Sequence, residues 1–361
     1  MNKIKVMHII TDTNFGGAGK YLYQICKYID KNKFKIIVAL PEGSVLNNII
    51  STISDIEIAE IDGIDTKSFD ILGVKEVYRL IKRYKPDIIH SHACLSARIA
   101  GIISGNKKII YTRHSLLPKM KGIKKWAKIL LSRILPSKII AVSKAVEENL
   151  LDEGEKRENI FLVYNGVELP NIKHEKLREK YLFNQEDIII SLVGRLERVK
   201  GQEHLLKIAE ILANTETGFE ILLVGEGSQR TNLESYVRAN DLNVKFLGHI
   251  NEIDEIYDIS DIIVNTSNSE ALSFTVIEAF AHKKPVVAFN IDGIKEVVSD
   301  GEDGYLVDFL DYDDFALKLS ILMKKKDLRK QFGQRGYEKV KAKFTVAEMV
   351  RNIENIYGGI M

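Results

Sequence analysis

Short runs of apolar, β-branched residues alternate with amphipathic stretches along nearly the whole chain, and this rhythm constrains the fold more than any single motif. The first series comprises Ile4–Ile10, Lys35–Leu40, Ile56–Ile61, Asp87–His90, Lys107–Thr112 and Lys138–Val142. Apolar runs without strict alternation belong to strands covered on both faces, as in a parallel sheet flanked by helices. A second series begins after a polar, proline-containing passage: Ile188–Val193, Phe219–Val224, Val244–Leu247, Asp261–Asn265, Pro285–Phe289 and Tyr305–Val307. Two series of βαβ units predict an α/β protein with two doubly wound, Rossmann-like domains facing a cleft. The length of 361 residues agrees, since domains average ~150 residues. Turn formers at Asn165-Gly166-Val167-Glu168-Leu169-Pro170 set the boundary, giving domains 1–167 and 168–343.

Charge and cysteine usage narrow the partners. With 52 basic and 50 acidic residues the net charge is +2 and 45% of the chain is apolar, so nucleic-acid binding gains no support. Cys26 and Cys94 are far apart and lack metal-ligand spacing, which indicates neither a disulfide framework nor a zinc site. The apolar run before Thr11 is too brief for a signal peptide and no run approaches a membrane span, so a cytoplasmic location is expected.

Ligands of doubly wound sheets bind beyond the carboxyl ends of the strands. Glu270 and Glu278 stand there, on either side of a helix start signal: Ser273 is a suitable N-cap, Phe274, Ile277 and Phe280 recur at helical spacing, and His282-Lys283-Lys284-Pro285 closes the helix. The helix N-terminus around Leu272, Ser273, Phe274 and Thr275 would favour an anion through its amides and dipole. A carboxylate on each side can accept hydroxyl hydrogen bonds. That order of groups fits a nucleotide sugar, whose diphosphate separates ribose from hexose; an ordinary surface helix after a solvated loop would carry the same two acids.

Other strand exits add to this. Arg195 and Lys200, between Gly194 and Gly201, supply two cations able to neutralise a diphosphate, or to form an exposed ion-pair loop with Glu197 and Glu203. Gly16-Gly17-Ala18-Gly19 follows the first strand and can bring backbone near a phosphate or sugar, although it matches neither a dinucleotide fingerprint nor a P-loop. His90 and His92 share one side of a strand end and His114 ends the next. No third ligand accompanies them at a recognisable spacing, so no metal site is expected, and His114, with His92 second, is read as a polar contact near a reacting carbon. From Lys119 to Lys138 seven cations and no acid flank an apolar face of Ile123, Trp126, Ala127, Leu130 and Ile134. That segment suits an anionic membrane surface, and equally a core-packed helix with a solvated basic back.

The glycine loop, Thr112-Arg113-His114, Asn165-Gly166-Val167, Gly194-Arg195-Leu196 with Lys200-Gly201, Phe246-Leu247-Gly248 and the stretch from Glu270 to Glu278 together resemble the family 4 retaining glycosyltransferases of GT-B fold. The resemblance spans nearly the whole chain and is weakest in the first 100 residues. It implies an N-terminal acceptor-binding domain, a donor-binding second domain, and a C-terminal helix, 344–361, crossing back to the first. By the same resemblance Arg195 and Lys200 would hold the diphosphate, Glu278 the ribose, Glu270 the transferred sugar, and residues Leu272 to Thr275 the phosphates. Gly248 to Ile250 would meet the base, Gly16 and Gly17 close over the diphosphate, and His114 stand beside the anomeric centre. Many relatives follow the first glutamate with Gly-Phe, where this chain has Ala271-Leu272. The implied reaction is metal-independent transfer with retention to a carbohydrate or lipid-linked acceptor, in cell-envelope polysaccharide or glycolipid synthesis, with peripheral contact at the inner membrane face. A nucleotide-sugar 2-epimerase and a non-catalytic nucleotide-sugar binding protein are the rival readings.

Overall fold

The computed structural model describes residues 3–13, 15–62, 68–118, 122–170, 177–181, 183–184 and 186–361. Two compact units emerge, Met1–Gly166 with Val346–Met361, and Val167–Thr345.

The first unit is built on seven parallel strands: β1 (Ile4–Ile10), β2 (Phe34–Pro41), β3 (Ile56–Ile61), β4 (Ile88–His92), β5 (Ile109–Arg113), β6 (Lys138–Ala141) and β7 (Ile160–Leu162), in the order β3-β2-β1-β4-β5-β6-β7. The sequence reading has no counterpart of β7, because three residues at a sheet edge are too few to show a period. The second unit has six: β8 (Ile188–Val193), β9 (Phe219–Val224), β10 (Val244–Gly248), β11 (Ile262–Asn265), β12 (Val286–Phe289) and β13 (Gly304–Val307), in the order β10-β9-β8-β11-β12-β13. Both orders reverse next to the first strand, between β1 and β4 and between β8 and β11. Those reversals open the crevices in which doubly wound sheets hold ligands.

Strand alternation decides which side chains reach each face. Met7 and Ile9 of β1 and Ile89 of β4 join a core with Val77, Leu80 and Ala97. His8, His90 and His92 therefore point to the other face, where Tyr21 and Tyr357 cover them. Tyr357 belongs to the helix Val346–Gly359, which buries Val346, Met349, Val350, Ile353, Ile356 and Tyr357 at helical spacing. Full burial of each such side chain stabilises by about 1.5–3 kcal/mol, enough to hold this helix on the unit. The backbone N–H of Asp30 donates to Glu354 at 2.7 Å and pins its far end. Phe344 and Thr345, which the sequence reading assigns to the crossing helix, stay with the second unit: Val167 N–H donates to the Phe344 carbonyl at 2.8 Å, and Val167 bridges Thr345.

Candidate active site

In the second unit the polar residues are gathered by two loops at the exits of β8 and β11. The β8 loop ends at Gly201, whose φ of 65° is left-handed and where an added Cβ would lie 2.0 Å from the Thr266 carbonyl oxygen. Glycine is needed there for both reasons. The loops are stitched together by Thr266 Oγ1 donating to the Gly201 carbonyl at 2.8 Å and Asn268 N–H donating to the Val199 carbonyl at 2.8 Å. This brings Lys200 onto Glu270: Nζ donates to Oε1 at 2.6 Å, and Ser267 Oγ donates to the same oxygen at 2.8 Å. Glu270 is buried and Lys200 half-buried, so the pair is screened little by solvent. Among the described residues Oε2 of Glu270 accepts no hydrogen bond, which leaves it able to take a hydroxyl. Arg195 is exposed on this loop, and Glu197 accepts from the N–H and hydroxyl of Ser228; those bonds, then the Arg195 charge, hold its carboxyl below the ordinary value.

The helix between the acids runs Phe274–Ala281. Ser273 occupies the N-cap, but its hydroxyl makes no capping bond, a departure from the sequence reading. Asn265 Nδ2 donates to that hydroxyl at 3.2 Å and Thr275 Oγ1 meets it at 3.0 Å, so the side chain is drawn away from the first-turn amides. Leu272 and Ser273 are buried and Phe274 and Thr275 half-buried. Glu278 lies one turn in and accepts from the Tyr257 hydroxyl at 2.6 Å. Burial, then the Glu278 charge, push Tyr257 well above its ordinary pKa, so the bond is always donated from the tyrosine. Gly248 ends β10, its carbonyl accepting from Gly225 N–H at 2.8 Å, and Ile250 packs against a buried cluster that includes Leu222, Val224 and Ile256.

The first unit gathers a different set. His92 Nδ1 meets His114 Nε2 at 3.1 Å, His92 Nε2 meets His8 Nδ1 at 2.9 Å, and His90 lies between Tyr357 and Thr112 at 2.6 Å from each. Burial takes His8 and His114 down to about pKa 3. Burial and then the neighbouring rings hold His90 and His92 well below the ordinary value, so all four imidazoles are neutral near pH 7. Ring nitrogens of His8, His90 and His92 lie within 4.8 Å of one another. The sheet thus supplies the third histidine that sequence spacing did not show, although these nitrogens already bond to one another, Tyr357 and Thr112. Gly16 caps the helix Gly17–Tyr28, its carbonyl accepting from Lys20 N–H at 2.9 Å, and Gly17 opens its first turn. Arg113 makes a buried ion pair with Glu153 and donates to the Tyr111 hydroxyl at 2.9 Å.

Four residues near these groups escaped the sequence reading. His8 sits inside an apolar run, and its register opposite His90 exists only once β1 and β4 pair. Tyr257 and Ser267 look ordinary in sequence. Gly293 supports the Glu270 loop: an added Cβ would stand 2.4 Å from the carbonyl oxygens of both Glu270 and Ala271. The basic segment also departs from one of its two readings. In the helix Ile123–Ile134, Trp126, Leu130 and Ile134 are 73%, 59% and 60% exposed, so these three are not packed into a core. Lys119 and Lys121 lie outside the described residues, as do the side chains of Ile123, Lys124, Lys125, Ala127 and Lys128. Among the described residues no helix is long and apolar enough to cross a membrane.

Similarity to known proteins follows the two units. The profile of the family described as Glycosyl transferases group 1 matches residues 173–339, and that of Glycosyltransferase Family 4 matches residues 15–170. The capsular polysaccharide biosynthesis glycosyltransferase CapM of Staphylococcus aureus is 26% identical over 308 residues, 80% of each chain. An Escherichia coli protein, UDP-Gal:alpha-D-GlcNAc-diphosphoundecaprenol alpha-1,3-galactosyltransferase, is 24% identical, covering 99% of this chain and 97% of its own. Among solved structures, Anabaena HepE in complex with UDP-glucose superposes with a TM-score of 0.86 at 21% identity, covering 99% of this chain and 100% of its own. A glycosyltransferase from Rickettsia africae gives 0.85 at 24% identity, with 100% and 99% covered. Two matched profiles, one for each unit, and the shared doubly wound architecture lead to one conclusion: the chain belongs to the family 4 glycosyltransferases of GT-B fold.

Proposed function

We propose that this glycosyltransferase moves a sugar from a nucleotide-diphosphate sugar to an acceptor hydroxyl with retention of anomeric configuration, in polysaccharide or glycolipid synthesis and without a metal. The observation that carries the reading is the pair Lys200–Glu270, held at 2.6 Å just before the helix Phe274–Ala281. A fixed ammonium and a helix N-terminus suit a diphosphate whose charge grows as the glycosidic bond breaks, and they favour that transition state over the ground state. Arg195, exposed at the same strand exit, adds a second cation that can swing to the ligand. Glu270, fixed through Oε1, offers Oε2 to the transferred sugar, and Glu278, held by Tyr257, serves the ribose. His114 takes the place of the family's histidine beside the reacting carbon. In this front-face reaction the leaving phosphate oxygen takes the acceptor proton, so no carboxylate has to act as nucleophile. HepE binding UDP-glucose, and the lipid-diphosphate acceptor named for the Escherichia coli relative, are compatible with this donor and acceptor class.

Incubating the protein with a panel of nucleotide sugars and a cell-envelope extract should release nucleoside diphosphate, with the new linkage keeping the donor's anomeric configuration by NMR. An epimerised donor without released diphosphate, or an inverted product, would reject the reading. The exposed Trp126, Leu130 and Ile134 further suit insertion into an anionic membrane surface. Sedimentation with vesicles containing phosphatidylglycerol should carry the protein down at low salt; indifference to salt and lipid charge would exclude that contact.

A further inference from the structure

Six side chains of the first unit meet end to end. His114 Nε2 faces His92 Nδ1 at 3.1 Å, His92 Nε2 faces His8 Nδ1 at 2.9 Å, and His8 Nε2 faces the Tyr357 hydroxyl at 3.3 Å. The same hydroxyl faces His90 Nδ1 at 2.6 Å, and His90 Nε2 faces Thr112 Oγ1 at 2.6 Å. A neutral imidazole has one N–H and one lone pair, and a phenol has one proton to donate. Five contacts in series are then satisfied in only two ways. Either every histidine carries its proton on Nε2 and the bonds run from His114 to Thr112, or every one carries it on Nδ1 and they run back. A mixture sets two protons or two lone pairs face to face, or leaves the Tyr357 proton unpaired, among side chains that are buried except for the half-buried His114, so such losses go largely uncompensated.

The free end of this series is His114 Nδ1, a lone pair in the first arrangement and a proton in the second. We infer that His8, His90, His92, Thr112 and Tyr357 are positioning residues that tie the tautomer of His114 to their own, and so decide together whether its Nδ1 accepts a hydrogen bond from the substrate or donates one to it. The inference rests on His114 facing the sugar, but the shared tautomer is a property of the free protein. Tyr357 gives the C-terminal helix a part in this, since its hydroxyl is the joint between His8 and His90. A cation held by His8, His90 and His92 would need His8 Nδ1 and His92 Nε2 to leave each other and turn to a common centre.

The test is the imidazole 15N spectrum of the full chain at pH 7, which distinguishes the two tautomers at each ring. All four rings should agree; two rings of opposite tautomer would overturn the inference. In Tyr357→Phe, which keeps the ring and its packing, His114 should become a mixture of tautomers. Its kcat should fall about tenfold, as for the weakening of one hydrogen bond that acts in the transition state, while donor KM moves less than twofold. An unchanged His114 tautomer in a folded Tyr357→Phe protein, or one equivalent of zinc bound by the wild type through the same rings, would overturn it. Sugar transfer with disagreeing tautomers defeats this inference alone, whereas agreeing tautomers without any transfer defeat the functional reading and leave the coupled series intact.

Discussion

Both units place polar side chains at the carboxyl ends of the strands flanking the reversal of strand order, yet they solve the burial of those groups in opposite ways. The first unit uses neutral rings, His8, His90, His92 and His114, satisfied by one another and by two hydroxyls. The second uses charges and pairs them, Lys200 with Glu270 at the strand exits and, ahead of β11 and β12, His282 with Asp254 and Asp258. A neutral cluster avoids the desolvation of ions but answers to protons; a paired cluster keeps charge available for an anionic ligand. One topology therefore hosts two kinds of site, and what separates them is residue chemistry.

Acid should separate the units most. An imidazole that protonates near pH 6.5 in the unfolded chain but near 3 in the folded unit lets the unfolded state bind more protons across that window, so stability falls as pH drops through it. From pH 7 to 5 this amounts to about 2 kcal/mol for each of His8 and His114, about 4 together. His282 runs the other way: burial opposes its charge, but the bonds to Asp254 and Asp258 outweigh it and raise its pKa. Its contribution is fully present below the unfolded pKa of 6.5 and is lost as pH rises through the folded value. Hydrogen exchange of β1 and β4 amides, corrected for intrinsic rates, should accelerate at pH 5 well beyond that of β8 and β11; equal acceleration would erase the contrast.

Gly201→Ala should reach the second unit specifically, costing about 3 kcal/mol through a left-handed φ and a clash with backbone, read as a shift in the urea midpoint. Lys200→Ala should weaken calorimetric binding of a nucleoside diphosphate about a hundredfold, because it removes a cation and leaves Glu270 buried with Ser267 alone. Arg195→Ala, at an exposed site, should cost no more than about tenfold. Equal losses for the two would break the distinction between fixed and mobile cations. The smallest effect belongs to Trp126→Ser with Leu130→Ser, expected to change stability by less than about 0.5 kcal/mol. A large loss would show that this face packs against the protein.

Twelve of the strands were legible because each is an apolar run bounded by turn formers, and β1, β3, β8 and β9 coincide with the runs read from sequence. The loop and helix holding Glu270 and Glu278 were legible for the same reason: caps and spacing are local. What stayed hidden is non-local. His8 gains its meaning from parallel pairing with β4, Tyr257 from a neighbouring helix, and Tyr357 from a helix more than 200 residues away in sequence from the rings it joins. The Ser273 hydroxyl misled in the opposite sense, since a residue of capping type at a capping position is claimed by Asn265.

The chain leaves the first unit after Gly166 and re-enters it at Val346. On the ribosome, therefore, that unit cannot be finished until the whole of the other has been made. Its imidazoles emerge before the second unit, and the phenol that joins two of them only after it. Until then the half-built sheet exposes an apolar, histidine-bearing surface that a chaperone would find, while the second unit, continuous in sequence, can fold as soon as it is out.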